Sequence, residues 1–232
     1  MPTVVLHSAV VDTLGLRITG GALEPGRVLT LESISAEFGV SRTVAREAMR
    51  VLEGLGLVRS GRRVGLVVLG IESWQVLDPR VIAWRLQGAG RVDQLRSLTE
   101  MRHAVEPLAA AGAARHAPPV VRARLGEIAA RMRALGEAGE GDHEEFLGLD
   151  VEMHELLLRH SGNELFGALT DVVAAVLSGR TALGLMPASP VPGALEQHEA
   201  VARAVAGGDA DAARRAMDAI VGEVQEALDQ LP

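Results

Sequence analysis

The sequence predicts a mainly α protein in two parts: a small N-terminal unit of short helices and strands, then an all-α antiparallel helical bundle. Three observations carry that prediction. From Asp78 onward apolar residues recur at i, i+3 and i+4, interrupted only by stretches rich in Gly or Pro. Before Leu69 the elements are short, and Gly-x-Ser and Gly-Arg-Arg turns separate them. Charge divides the same way: residues 1–69 hold 8 Arg against 6 Asp and Glu, whereas residues 70–232 hold 15 against 24, giving the net −7.

Taken in order, a helical period runs from Val4 to Ile18, and Gly20, Gly21, Pro25 and Gly26 then supply turn chemistry. LESISAEF reads as a short helix closed by Gly39. Ser41 N-caps a second helix, RTVAREAMRVLEGL, in which Val44, Ala45, Ala48, Met49, Val51, Leu52 and Leu55 leave Arg42, Thr43, Arg46 and Arg50 on other faces. Two helices joined by so tight a turn form a helix-turn-helix. LVRS and VGLVVL are β-rich runs joined by GRR, a hairpin with Arg62 and Arg63 at its tip. Residues 1–69 therefore read as a winged helix-turn-helix, 70–77 as a linker and 78–232 as the bundle. Its helices are expected at 78–87, 91–116, 119–138, 142–161, 163–183, 193–207 and 209–230.

Composition excludes several classes. A hydrophobic content of 48% argues against general disorder. With no cysteine there is no disulfide framework, thiolate metal site or cysteine nucleophile, which suits a reducing, cytoplasmic setting. MPTVVLHSAVVDTLG lacks the basic start of a signal peptide, and no run of 18 apolar residues predicts a membrane span.

The basic character concentrates between Gly39 and Gly65, where six arginines face two glutamates. A helix that enters the major groove needs small hydroxyl and arginine side chains near its N-terminus and an apolar rear face to dock it. GVSRTVAREAMRVLEGLGLV has that arrangement. A solvated amphipathic helix would also carry arginines, but the Gly-x-Ser turn and the basic hairpin beside it favour DNA binding.

From Ile18 to Leu69, in ITGGALEPGRVL, in FGVSRTVAREAMRVLEGLGLV and in the following hairpin, the sequence resembles the GntR family of bacterial transcription regulators. The resemblance implies that Ser41, Arg42, Thr43 and Arg46 contact DNA at the start of the recognition helix and that Arg62 and Arg63 reach into a groove; Arg50, one turn further along the helix, joins the candidate DNA-binding set. One departure stands out: Glu32 occupies a position where the family usually has a phosphate-contacting arginine. LTEMRHAVEPLAAAGAA, LDVEMHELLLRHSGN and QHEAVARAVAGGDADAARRAM resemble the ligand-binding half of the family's FadR-type branch, and SWQVLDPRVIAWRL resembles members that govern sugar-acid catabolism. The branch implies a homodimer on an inverted-repeat operator, controlled by a small carboxylate-bearing metabolite.

Within the bundle, Asp150 and His154 stand at i and i+4, one turn apart on one face, so both can hold one cation or simply hydrogen-bond each other. His198 is a third candidate. The resemblance implies a four-ligand divalent metal site, zinc or nickel, in which these three take part. The fourth histidine is expected three residues after Met217, where Ile220 stands. Either the metal is held by fewer protein ligands or the site has abandoned it. Arg102 and Glu106 are also four apart, as an intrahelical ion pair or as a carboxylate grip facing a pocket. With Asn163 they form the candidate effector-binding set. Trp74 and Trp84 read as packing anchors between the two domains.

Two other readings are testable. A metal-dependent enzyme would need a base beside the Asp150/His154/His198 set; Glu152 and Glu155 are near in sequence, but neither falls on the Asp150/His154 stripe. A constitutive architectural DNA binder would need no polar pocket at all.

Overall fold

The computed structural model describes residues 3–61, 65–182, 187–190 and 192–229, so Arg62 and Arg63 lie outside the described residues. The chain forms two compact units, Met1–Gln94 and Leu95–Pro232.

In the first unit, α1 (Thr3–Thr19) packs on α3 (Arg42–Gly54), and α2 (Leu31–Phe38) precedes α3 across a tight turn. Thr30 caps α2: its hydroxyl accepts from Ser33 N, and Ser33 Oγ accepts in return from Thr30 N. Gly39 ends α2 at φ 62°, a left-handed conformation that costs glycine nothing, and Ser41 Oγ accepts from Val44 N at 3.3 Å to start α3. Val44, Ala45, Ala48, Met49 and Leu52 bury the rear of α3. A three-stranded antiparallel sheet completes the winged helix: β1 (Val28–Leu29), β2 (Val58–Gly61) and β3 (Gly65–Val68), with β3 in the middle. β1 lies in a stretch read as turn; two residues are too few to show strand alternation, and pairing with Leu66 and Val67 makes the strand.

The first unit runs further than the expected boundary at residue 69. Ile71–Ser73 form a 3-10 turn, Trp74 Nε1 donates to Leu69 O at 3.0 Å, and Gln75 N donates to Leu55 O. Residues 70–77 are thus held against the winged helix by hydrogen bonds. α4 (Pro79–Gln87) follows and packs on α1. Trp84 lies on Gly15 so closely that a methyl group there would sit 2.5 Å from the ring, and its Nε1 donates to Asp12 at 3.2 Å. Both tryptophans therefore anchor the interior of the first unit, not a junction between units.

The second unit contains α5 (Arg91–His116), which begins in the first unit, then α6 (Pro119–Glu137), α7 (Glu144–Arg159), α8 (Glu164–Gly167), α9 (Thr170–Ala182), α10 (Pro192–Gly207) and α11 (Ala210–Asp229). α10 packs on α6 and α11, and α7 packs on α6 and α9, around Leu125, Ile128, Met132, Met153, Val205 and Met217. The single helix expected at 163–183 is two helices, because the Asn163 cap starts a one-turn helix that stops before Thr170.

Arg122 ties three of these helices together. Its guanidinium donates to Ala117 O and Ala114 O at the end of α5, each at 2.8 Å, and to Val205 O and Ala206 O near the end of α10, at 2.8 and 3.2 Å. Helix C-termini present unpaired carbonyls and partial negative charge, so one cation satisfies two of them. Arg122→Ala is expected to cost about 2–3 kcal/mol, the net worth of one or two charge-assisted hydrogen bonds. Urea denaturation measures it, and the lysine variant recovers only part of the loss because an ammonium cannot span the four acceptors.

Candidate functional site

Two surfaces collect the polar residues singled out above. On α3, Ser41, Arg42, Thr43, Arg46 and Arg50 are all exposed. Their partners differ. Arg42 is ion-paired to Glu32, and Arg50 Nη1 lies 2.7 Å from Glu47 Oε1. Arg46 has no carboxylate partner among the described residues. Glu32 therefore does more than replace a basic residue: it engages the first arginine of the helix.

The second site is a cavity of about 100 Å³ in the bundle, lined by Arg102 from α5, Asp150 and His154 from α7, Arg180 from α9, His198 from α10 and Ile220 from α11, among others. Asp150, His154 and His198 are all buried, and their ligating atoms lie within 4.8 Å of one another. His154 Nε2 is 3.4 Å from Asp150 Oδ1, and His198 Nε2 is 3.3 Å from the same oxygen. Two ligands about 2.1 Å from a common ion at a tetrahedral angle are about 3.4 Å apart, so the spacing fits a shared divalent ion.

The opposite ring nitrogens strengthen that fit. His198 Nδ1 lies 2.7 Å from Ala194 O, and His154 Nδ1 lies 2.7 Å from Glu106 Oε2, off the line of the ring N–H. Each ring thus has an acceptor at both nitrogens, yet a neutral imidazole carries one proton. With Nδ1–H turned outward, both Nε2 lone pairs converge beside the Asp150 carboxylate, an arrangement that a shared cation satisfies; without metal, His154 meets its two carboxylates as an imidazolium. Ile220 lines the same cavity and offers no ligand atom.

Charge in the site is strongly coupled. Burial alone would depress His154, but Glu106 and Asp150 outweigh it and raise the metal-free imidazole to about 9. Burial would raise Glu106, yet Arg102 and His154 bring it down to about 2. Asp150 is likewise held well below the usual carboxylate range, burial being overcome by hydrogen bonds to His154 and His198. Arg102 donates through Nε at 2.6 Å and Nη2 at 3.2 Å to Glu106, while its buried Nη1 has no partner.

Some expected residues take other roles. Glu106 stands behind Arg102 and His154 and does not line the cavity, so it orients rather than contacts a ligand. Asn163 Oδ1 accepts from Leu165 N at 3.0 Å and is spent as the cap of α8, away from the cavity-lining residues. Arg180 and Glu223 line the cavity without having been singled out. A signal for Arg180 exists: it is the only basic residue of TDVVAAVLSGRTA, an otherwise largely apolar helix.

Residues 6–68 match the bacterial regulatory proteins of the gntR family, and residues 97–223 match the FCD domain. The chain belongs to the GntR family. This GntR regulator is 30% identical over 213 residues to the galactonate operon transcriptional repressor of Escherichia coli, covering 89% of this chain and 90% of the relative. It is 28% identical over 220 residues to the transcriptional regulator LutR of Bacillus subtilis, covering 91% and 95%. Among solved structures, the Listeria monocytogenes protein Lar shares the fold with a TM-score of 0.58 at 18% identity, covering 97% of each chain. Escherichia coli McbR/YncC does so at 0.53 and 18%, again over 97% of each chain. The expected mainly α architecture, a winged helix-turn-helix and a helical second domain, is therefore that of a DNA-binding transcription regulator.

Proposed function

We propose that this GntR regulator represses a metabolic operon from an inverted-repeat operator, as a cytoplasmic homodimer, and that a small organic or sugar acid in the bundle cavity changes its DNA affinity. One observation carries the effector half of this reading: a buried arginine with an unspent donor and an Asp/His/His cluster line one cavity. Convergent polar groups in a mostly apolar pocket are what a small carboxylate needs. The galactonate operon repressor, a relative matched over 89% of this chain, supports an acid of this kind.

The roles follow from position. Ser41, Thr43 and Arg46 stand at the exposed start of the recognition helix, with Arg42 and Arg50 able to exchange their glutamates for phosphates. Arg62 and Arg63 are assigned to the groove beside it. In the cavity, Asp150, His154 and His198 would hold a divalent metal, zinc or nickel, which when bound supplies positive charge for carboxylate and hydroxyl oxygens. Arg102 presents Nη1 to the acid while Glu106 fixes both Arg102 and His154. An effector alters operator affinity only to the extent that it binds the free and DNA-bound forms unequally.

An enzymatic role finds no support. Glu152 is paired bidentately with Arg124 at 2.7 Å and Glu155 with Arg159 at 2.6 Å, so neither stands as a base beside the cluster. No helix among the described residues is long and apolar enough to cross a membrane.

Light scattering is expected to give about twice the 24.4 kDa chain mass, since a two-fold operator calls for a two-fold protein. A monomer that binds a palindrome tightly would contradict it. A thermal-shift screen of sugar acids and dicarboxylates tests the effector; stabilisation by none of them would leave the constitutive DNA binder as the better reading.

A further inference from the structure

The cavity contains a second cation besides Arg102. Arg180 projects from α9 into it, is only partly exposed, and has no ion-pair partner among the described residues. Arg102 is more constrained: two of its three guanidinium nitrogens are spent on Glu106, and Nη1 is buried and unsatisfied. Two guanidinium groups from different helices thus face one small space, each with donors unused. Burial and the neighbouring charge of Arg102 lower Arg180 to about 10, outweighing the opposite pull of Asp150, Glu223 and Glu106, none of which is in ion-pair contact with it.

Arg102 keeps one buried N–H group unpaired despite its bond to Glu106, and Arg180 has no ion-pair contact among the described residues, so an arriving anion satisfies donors on both. One carboxylate cannot settle both without drawing two like charges together. Two carboxylates, one for each arginine, remove the repulsion and satisfy both sets of donors. The cavity is small, about 100 Å³, which favours a short acid.

We propose that the effector is a short dicarboxylate, held with one carboxylate at Arg102 Nη1 and the cluster beside it and the other at Arg180. This rests on the reading of the cavity as the effector site and names the ligand class that fits it. Arg180 is then the residue that separates dicarboxylates from monocarboxylates of the same chain length.

The test is titration calorimetry on the full chain with two matched pairs: succinate against butyrate, and malate against 2-hydroxybutyrate, each differing by one carboxylate replaced by methyl. The dicarboxylate is expected to bind at least tenfold more tightly in both pairs. Arg180→Met should erase that advantage while leaving monocarboxylate affinity within about threefold, and Arg180→Lys should retain part of it. Equal affinity within each pair, or an Arg180→Met loss that falls equally on both members, overturns the inference while leaving a monocarboxylate effector site intact. Binding of none of the four acids overturns it too, and if the wider acid screen is also blank the effector reading falls with it. The wild-type comparison decides the matter even if a variant fails to fold.

Discussion

Arg46→Ala is expected to weaken operator binding by about 1–3 kcal/mol for each half-site, the largest loss of any single recognition-helix substitution. The reason lies in its surroundings. Arg42 and Arg50 already have glutamate partners and must give them up to reach DNA, whereas Arg46 is exposed and has no carboxylate partner among the described residues. Arg42→Ala is therefore expected to cost less than Arg46→Ala. Glu32→Gln should strengthen binding, because it removes a negative charge beside the phosphates and releases Arg42. An exposed ion pair is worth at most about 1 kcal/mol, so the gain comes mainly from lost repulsion. Electrophoretic or anisotropy titrations at several salt concentrations measure all three. Equal affinity of Arg46→Ala and wild type would remove this helix from the interface.

His154→Ala is expected to abolish divalent-metal binding, and Ile220→His to tighten it by about 10–100-fold, comparable to what outer-shell partners contribute in metal sites. Ile220 lines the same cavity as Asp150, His154 and His198, so an imidazole placed there joins an existing cluster. Glu106 supports the site from behind through His154, and Glu106→Gln should weaken zinc or nickel binding without touching the ion. Calorimetric titration with zinc and with nickel checks the series. If wild type holds neither after saturation and desalting, and Ile220→His gains neither, the cluster is a hydrogen-bonded one and Arg102 with Arg180 carries the effector alone.

Much of this was legible in the sequence because it is local. Helical periods place α3, α5, α6, α7, α10 and α11 to within two residues, and the Gly39 and Ser41 signals mark the turn that orients the recognition helix. Asp150 and His154 share a face by spacing alone. What escaped depends on distant partners. β1 exists because β3 pairs with it across nearly forty residues. The boundary moved from residue 69 to 94 because Trp84 packs on Gly15, a contact that no period announces. Asn163 carries the right chemistry for a ligand contact, yet it caps α8 instead. Arg180 faces the cavity only once α9 is docked on α7. The Glu32–Arg42 pair likewise needs the turn closed before the two side chains meet.

The most direct measurement is the affinity of the protein for the intergenic DNA beside its own gene, with and without a saturating acid that binds the cavity, in wild type and in Arg102→Met. The cavity account predicts that the acid changes the wild-type Kd at least tenfold, about 1.4 kcal/mol of coupling, and leaves the variant's Kd unchanged. An acid that binds the cavity by calorimetry yet leaves DNA affinity where it was would contradict it.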